Sequence, residues 1–303
     1  MKVFKNRELS FLAIFGLGLA MATMTGCDGG TKDTPEEEIL EDDTDSMQSS
    51  MFKIGNSVFS IPSPFQTALL INKVEATYKK DILNSTANLP SYSTRFKKAL
   101  NLGIYGADLG YITVYDVPQD AISYLNSVKK LADELGVSSA FDENTIKRFE
   151  SNIGNRDSLL SLISVAYRAS DTYLKNNEQN DVGALILAGG WIEGLYFSTL
   201  IAKTNPHSEL LNRIGEQKHS LENLIALLRD YNASSEYDAL LKELVELAYD
   251  FDAVEMHYTY EKPTVDRDKK VTHIRSKSEA IVSQELLAKI GERIEKLRGQ
   301  ITG

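Results

Sequence analysis

The sequence predicts an all-α protein, a multi-helix bundle of about eight to nine helices with one small β excursion. Three observations predict it. From Pro64 onward, apolar residues recur at three- and four-residue spacing in segment after segment. The breaks between segments carry helix punctuation: Ser63-Pro64, Asp116-Val117-Pro118, Gly136 and Asn205-Pro206. Only two stretches fall outside this pattern. SVFSIP, just before Pro64, reads as extended, and residues 256–276 alternate around a polar turn as a β-hairpin or long loop. With 303 residues, 42% hydrophobic and 25% charged, the chain is long enough for one large domain or two small ones.

The elements follow in order. Ser63 caps a first helix expected over Pro64–Leu83. A second runs from about Ser93 to Tyr115, and Pro118 opens a third that stops at Gly136 after Leu135. Asp142 caps a short helix to about Asn152, and Asn155 or Asp157 starts SLLSLISVAYRASDTYLKNN. Asp181 caps VGALILAGGWIEGLYFSTLIAK, which Asn205-Pro206 ends. Helices over about His207–Tyr231, Ser235–Val254 and Lys277–Gln300 complete the bundle.

The N-terminus has a different logic. Lys2, Lys5 and Arg7 form a basic region, Phe11–Ala22 is apolar but short for a membrane span, and Met24-Thr25-Gly26-Cys27 follows. These residues resemble a bacterial lipoprotein signal peptide and its lipobox, with Met24 where that family usually has Leu. The resemblance implies cleavage after residue 26 and diacylglycerol on Cys27, the only cysteine in the chain. At about 0.8 kcal/mol per buried methylene, two or three acyl chains hold a protein on a membrane where one does not. No cysteine then remains for a disulfide, so the core alone must hold the fold.

Residues 27–50 read as an acylated Cys followed by an acidic disordered tether. Residues 28–50 contain nine acids and one Lys, a net of −8. The whole chain carries −10; residues 1–26 contribute +2, which leaves −4 for the domain at 51–303. The acidity therefore belongs to the tether, and nothing in the balance points to nucleic acid. An acidic stretch after the acylated Cys resembles surface-export signals of Bacteroidota lipoproteins, and in style the helical domain resembles helical lipoproteins of that group. By contrast, Asp28 directly after the Cys resembles the inner-membrane retention signal of enteric bacteria. The expectation is an outer-membrane lipoprotein, facing either the periplasm or the surface.

Two helices share an unusual pattern. A shift of 85 residues lays Ala99 on Ala184, Leu100 on Leu185, Leu102 on Leu187, Asp108 on Glu193 and Tyr111 on Tyr196. This suggests an internal repeat of 93–153 in 181–254. Glycine inside a helix costs about 0.5–1 kcal/mol relative to alanine, so the small-residue stripes Ala99/Gly103/Ala107/Gly110 and Gly183/Gly189/Gly190/Gly194 call for close helix packing. Both helices are apolar enough to suggest a membrane span, but Asp108 and Glu193 near their middles argue for a buried pair in a soluble bundle.

A buried carboxylate must be paired, hydrogen-bonded or protonated. One account satisfies Asp108 and Glu193 structurally, with Arg168 as the candidate cation. The other places them together in a pocket lined by Tyr105, Tyr111, Trp191 and Tyr196, where two close acids suit acid–base work or a divalent metal. Catalysis predicts acids about 5–9 Å apart and open to solvent, as acid–base pairs usually are. A ligand pocket predicts a void beside Trp191 and Tyr105. A docking protein predicts a filled core and an exposed apolar patch.

Familiar chemistry is missing from the pattern. His207, His219, His257 and His273 form no i,i+4 pair and no HExxH, although His257 and His273 lie on opposite arms of the expected hairpin. There is no GxSxG, no P-loop and no GxHxxE of the imelysin type. No cofactor or metal is expected. The functional expectation is a lipid-anchored envelope protein that binds a ligand or protein partner without chemistry. The alternatives are an enzyme using Asp108 and Glu193, or a structural component of an envelope complex that docks through the basic segment at 256–276.

Overall fold

Ser63 and Pro64 start the first helix as the sequence predicts, but that helix ends ten residues early. The computed structural model describes residues 49–54, 57–138, 143–152, 155, 157–159, 161–162, 179–232, 234–267 and 271–303. The expected signal peptide, Cys27, residues 28–48 of the tether, and Arg168 lie outside the described residues. Helix α1 spans Pro64–Lys73, and the Ser63 hydroxyl accepts from the Phe65 N–H. Glu75 then takes a left-handed conformation (φ 58°). The Glu75 N–H donates to the Asn72 carbonyl and the Ala76 N–H to the Ile71 carbonyl, a paired ending that closes the helix. Beyond it the chain becomes a non-helical strap over residues 76–93, broken only by single 3-10 turns at Lys80–Ile82 and Thr86–Ser91.

Thr94 caps α2, Arg95–Val114, through the Lys97 N–H. Asp116 (φ 53°) ends α2 with the same two backbone bonds that end α1. Pro118 opens α3, Pro118–Leu135, which stops at left-handed Gly136. A short α4 spans Glu143–Ser151. Helix α5, Asn180–Thr204, has Asp181 in its first turn rather than as the expected cap, and ends at Asn205. Helices α6, Ser208–Asp230, and α7, Ser235–Phe251, follow.

The expected final helix from Lys277 starts later. Lys277–Ile281 is a strand, and α8 runs Gln284–Thr302 behind a Ser283 cap. The β excursion is therefore longer than residues 256–276. Strands β3 (Glu255–Thr259) and β6 (Lys277–Ile281) pair at its base, and β4 (Thr264–Asp266) and β5 (Val271–His273) pair toward its tip. At the other end of the described chain, β1 (Ser49–Ile54) pairs with β2 (Ser57–Pro62). Ser49 and Ser50 thus belong to a ladder rather than to the tether.

The two glycine-rich helices, α2 and α5, form the centre of the molecule. Helix α2 also packs on α1 and α3, while α5 packs on α1, α6 and α8. Their contact is backbone on backbone. A methyl added at Gly103 would lie 1.9 Å from the Ile186 carbonyl oxygen, and one at Gly189 would lie 1.9 Å from that of Leu100. Three further glycines receive α1: Gly110 faces Phe65, Gly194 faces Pro64, and Gly190 faces both Pro64 and the Gly103 carbonyl. Helix α5 is long and apolar enough to cross a membrane, but 89% of its most apolar window is buried inside the bundle. It is a core helix.

Candidate functional site

Close approach at Gly103 and Gly189 decides what lies one or two turns further along both helices. Asp108 and Glu193 come together there, and neither has measurable exposure. Tyr111 and Phe197 follow, with ring centroids 5.0 Å apart. The sequence offset across the interface, 85 residues from Asp108 to Glu193, equals the shift that aligns the two segments.

Glu193 has a cation, supplied from the far end of the chain. Arg298 on α8 grips it with two nitrogens, Nε to one oxygen and Nη2 to the other, both at 2.7 Å. Its guanidinium also lies 4.4 Å from the centre of the Tyr196 ring. Burial opposes the charge on Arg298, but the carboxylate of Glu193 outweighs it and holds the guanidinium firmly protonated. Sequence reasoning offered Arg168 for this role and missed Arg298. A signal was present. Leu287, Gly291, Ile294, Arg298 and Ile301 recur at four- and three-residue spacing, which puts Arg298 on the buried stripe of α8.

Among the described residues, no cation is bonded to Asp108. One oxygen, Oδ2, accepts from the Asn84 N–H at 3.3 Å, while Oδ1 is buried without a further partner. Burial, and next the charge of Glu193, raise the Asp108 pKa well above its ordinary value; Arg298 opposes this only in part. A proton on Asp108 answers this environment, because it removes the second negative charge from beside Glu193. Two acids and one guanidinium then carry no net charge, which is the condition for burying all three.

The aromatic candidates have structural work. Tyr105 donates to the Ser85 carbonyl at 2.8 Å, and Tyr111 accepts from the Lys79 N–H at 3.1 Å. Arg298 also donates to the Ile82 carbonyl, Tyr124 to that of Asn84 and Tyr115 to that of Ala76. These are the backbone groups of the strap. Having left the α-helical pattern at Glu75, residues 76–85 keep only the Leu83 N–H to Lys80 carbonyl bond of their 3-10 turn, and side chains of α2, α3 and α8 satisfy other backbone groups there. Trp191 stands apart from this group and donates to Gln217 on α6. The rings fill the space between the elements: Tyr105 lies 6.3 Å from Tyr92 and 5.9 Å from Tyr124, and Tyr78, Tyr111 and Tyr115 pack together at 4.8–5.6 Å.

Asp108 and Glu193 are therefore brought together as the sequence suggested, with Tyr105, Tyr111 and Tyr196 around them. They are sealed, however, which is the opposite of the solvent-reached pair that acid–base catalysis requires. His257 and His273 do not face each other: His257 pairs across the ladder with Glu279, and His273 with Thr264. Among the described residues no group of three metal-ligating side chains comes together. An open groove of about 460 Å³ lies between α1 and α6, lined in part by Leu69, Leu70, Lys73, Glu209, Arg213 and Glu216. Compared with known proteins, the chain matches no family model, no curated protein and no solved structure.

Proposed function

We propose that the chain is a lipid-anchored cell-envelope protein, of the outer membrane, whose helical domain binds a partner on its outer surface and performs no chemistry. The observation that carries the non-catalytic reading is the internal closure of the Asp108–Glu193–Arg298 group. Every charge there has its counter-charge or its proton, and the space beside Tyr105 is occupied by Tyr92 and Tyr124. Binding then falls to open features such as the groove between α1 and α6. Its rim residues pair Lys73 with Glu209 and Arg213 with Glu216, and these contacts are open enough to exchange for those of a partner. The anchor follows from the lipobox resemblance at Met24–Cys27.

Both halves are testable. In cells fed labelled palmitate the wild-type chain takes up label and Cys27→Ser does not; an unlabelled wild-type chain overturns the anchor. Whatever defect follows deletion of the gene, Asp108→Asn restores it as fully as wild type. A variant that folds normally yet fails to restore it returns the argument to acid–base chemistry.

A further inference from the structure

Exposed large apolar side chains are concentrated in one place. Among the described residues there are eight: Ile122, Tyr249, Tyr258, Tyr260, Val265, Val271, Ile274 and Ile281. Six of the eight lie between residues 258 and 281, on the long hairpin, with Ile274 at 76% and Tyr258 and Tyr260 each at 67% exposure. The bundle does not require them there. The base of the hairpin is docked without them, by Ala280 against Gly215 and by the Ala280 N–H donating to Asn212 Oδ1. Beyond that base the two ladders β3/β6 and β4/β5 carry their side chains into solvent, and a bond from the Glu261 N–H to the Ser276 hydroxyl ties the two arms between them.

Cations are interleaved with these apolar groups. Lys262, Arg267, Arg275 and Lys277 are all exposed on the same hairpin. Over residues 255–281 the sequence has six Lys or Arg against five acids, a net of +1, within a domain whose net is −4. Tyrosine, isoleucine and valine beside lysine and arginine is the composition that settles at a bilayer interface. There apolar bodies enter the acyl boundary and cationic heads meet lipid phosphates.

The layout of the chain puts this hairpin near its own N-terminal end. Strand β2, which pairs with β1 where the described chain begins, packs on α6, and β6 packs on the same helix. Strand β2 and the hairpin therefore meet the domain on one helix. Between Cys27 and Ser49 there are 21 residues, so a membrane that holds Cys27 lies within about 75 Å of β1 even at full extension.

We propose that the 255–281 hairpin is a membrane-contact element that lays Tyr258, Tyr260, Val265 and Ile274 into the headgroup region of an anionic bilayer while Lys262, Arg267, Arg275 and Lys277 meet its phosphates. It supplies a second attachment beside the acyl anchor and fixes which face of the bundle looks away from the membrane. The contact depends on the lipoprotein reading only for bringing the domain to the bilayer, so the test uses protein without the anchor.

Among the described residues the core runs from Phe65 to Ile301, so residues 28–303, unacylated, carry all of it. This protein is sedimented with vesicles of phosphatidylcholine alone or with about one-third phosphatidylglycerol. Binding is expected to the anionic vesicles only, and to weaken as salt rises. Lys262→Glu with Arg275→Glu, and separately Tyr258→Ser with Tyr260→Ser and Ile274→Ser, should each weaken it about tenfold or more. These side chains are exposed, so thermal melts should match wild type and confirm that the variants are folded. No binding at low salt overturns the proposal. So does binding that both variants leave intact, and so does capture of an acidic protein by the hairpin in place of vesicles. Loss of palmitate labelling in cells, with vesicle binding intact, would sink the anchor and leave the hairpin standing.

Discussion

Among the described residues, acids are buried at two centres, both served by α8, and the two centres handle burial in opposite ways. At the seam of α7 and α8, Asp250 is 2% exposed and receives two cations, Lys289 Nζ at 2.8 Å and Arg293 Nε. Those cations are 62% and 27% exposed, so water and protein share the work. Burial alone would raise the Asp250 pKa, but hydrogen bonds from Lys289 and Arg293 overcome it and hold the pKa below its ordinary value. At the heart, among the described residues, one guanidinium, itself 13% exposed, serves two sealed acids, and Asp108 is pushed the other way. An acid with cations to spare ionises more readily. An acid left over after its neighbour has taken the only cation keeps its proton. The ratio of cations to acids, more than depth alone, sets the direction.

The largest effect should come from removing the single inner cation. Arg298→Met leaves Glu193 buried and uncompensated, and strips a bond from the Ile82 carbonyl as well. We expect a loss of about 3–5 kcal/mol in urea unfolding. Arg293→Met at the outer centre leaves Lys289 on Asp250 and should lose only about 1 kcal/mol. Equal losses would break the distinction between a sealed centre and a wetted one.

A second test reaches the inner centre through the backbone. Gly189→Ala sets a methyl against the Leu100 carbonyl, a contact that rotation of a side chain cannot relieve. Helices α2 and α5 must separate, at about 3 kcal/mol. Gly299→Ala on α8 meets nothing within 4 Å and should stabilise by about 0.5–1 kcal/mol through helix propensity. If Gly189→Ala melts like wild type, the crossing is looser than the geometry states.

Much of this arrangement was legible in the sequence, and the parts that were not share a cause. Gly103 and Gly189 announced the crossing because glycine in a helix needs a local reason. The 85-residue shift that lays Asp108 on Glu193 announced that the acids would meet. Arg298 escaped notice because its partner is 105 residues away, and periodicity describes faces rather than partners. The strap was lost for a related reason. Residues 74–83 have helical spacing, and what pulls them out of helix is a set of side chains on α2, α3 and α8. Local propensity gave way to tertiary hydrogen bonds there. The late start of α8 is the same kind of event, since Lys277–Ile281 has a partner strand that only the hairpin fold provides.

The outer centre should reveal itself in acid. The folded-state pKa of Asp250 is lowered, so its contribution is fully present above the unfolded value of about 3.9 and is lost as pH falls through that value toward the folded one. Asp250→Asn should lose about 1.5–2 kcal/mol at pH 7. It should also flatten the acid limb of the stability curve, as urea midpoints read between pH 2 and 7 would show. An acid limb identical to wild type would assign that loss to other carboxylates.

The smallest change should be the most informative. Asp108→Asn keeps the shape of the side chain and replaces the proposed protonated acid by a neutral amide, while its carbonyl oxygen still accepts from the Asn84 N–H. If Asp108 is protonated in the folded protein, little is lost at neutral pH. The sign of its pH dependence is the reverse of that at Asp250. A raised folded-state pKa means that the native protein binds the extra proton, so wild-type stability falls as pH climbs from the ordinary carboxylate value toward the raised one. Asp108→Asn removes that decline, and its stability relative to wild type should grow over the same interval. Urea midpoints taken from pH 4 to 8 decide the matter. A variant that instead loses ground as pH rises would mean that Asp108 is ionised in the fold, and a second cation would then have to be found for it.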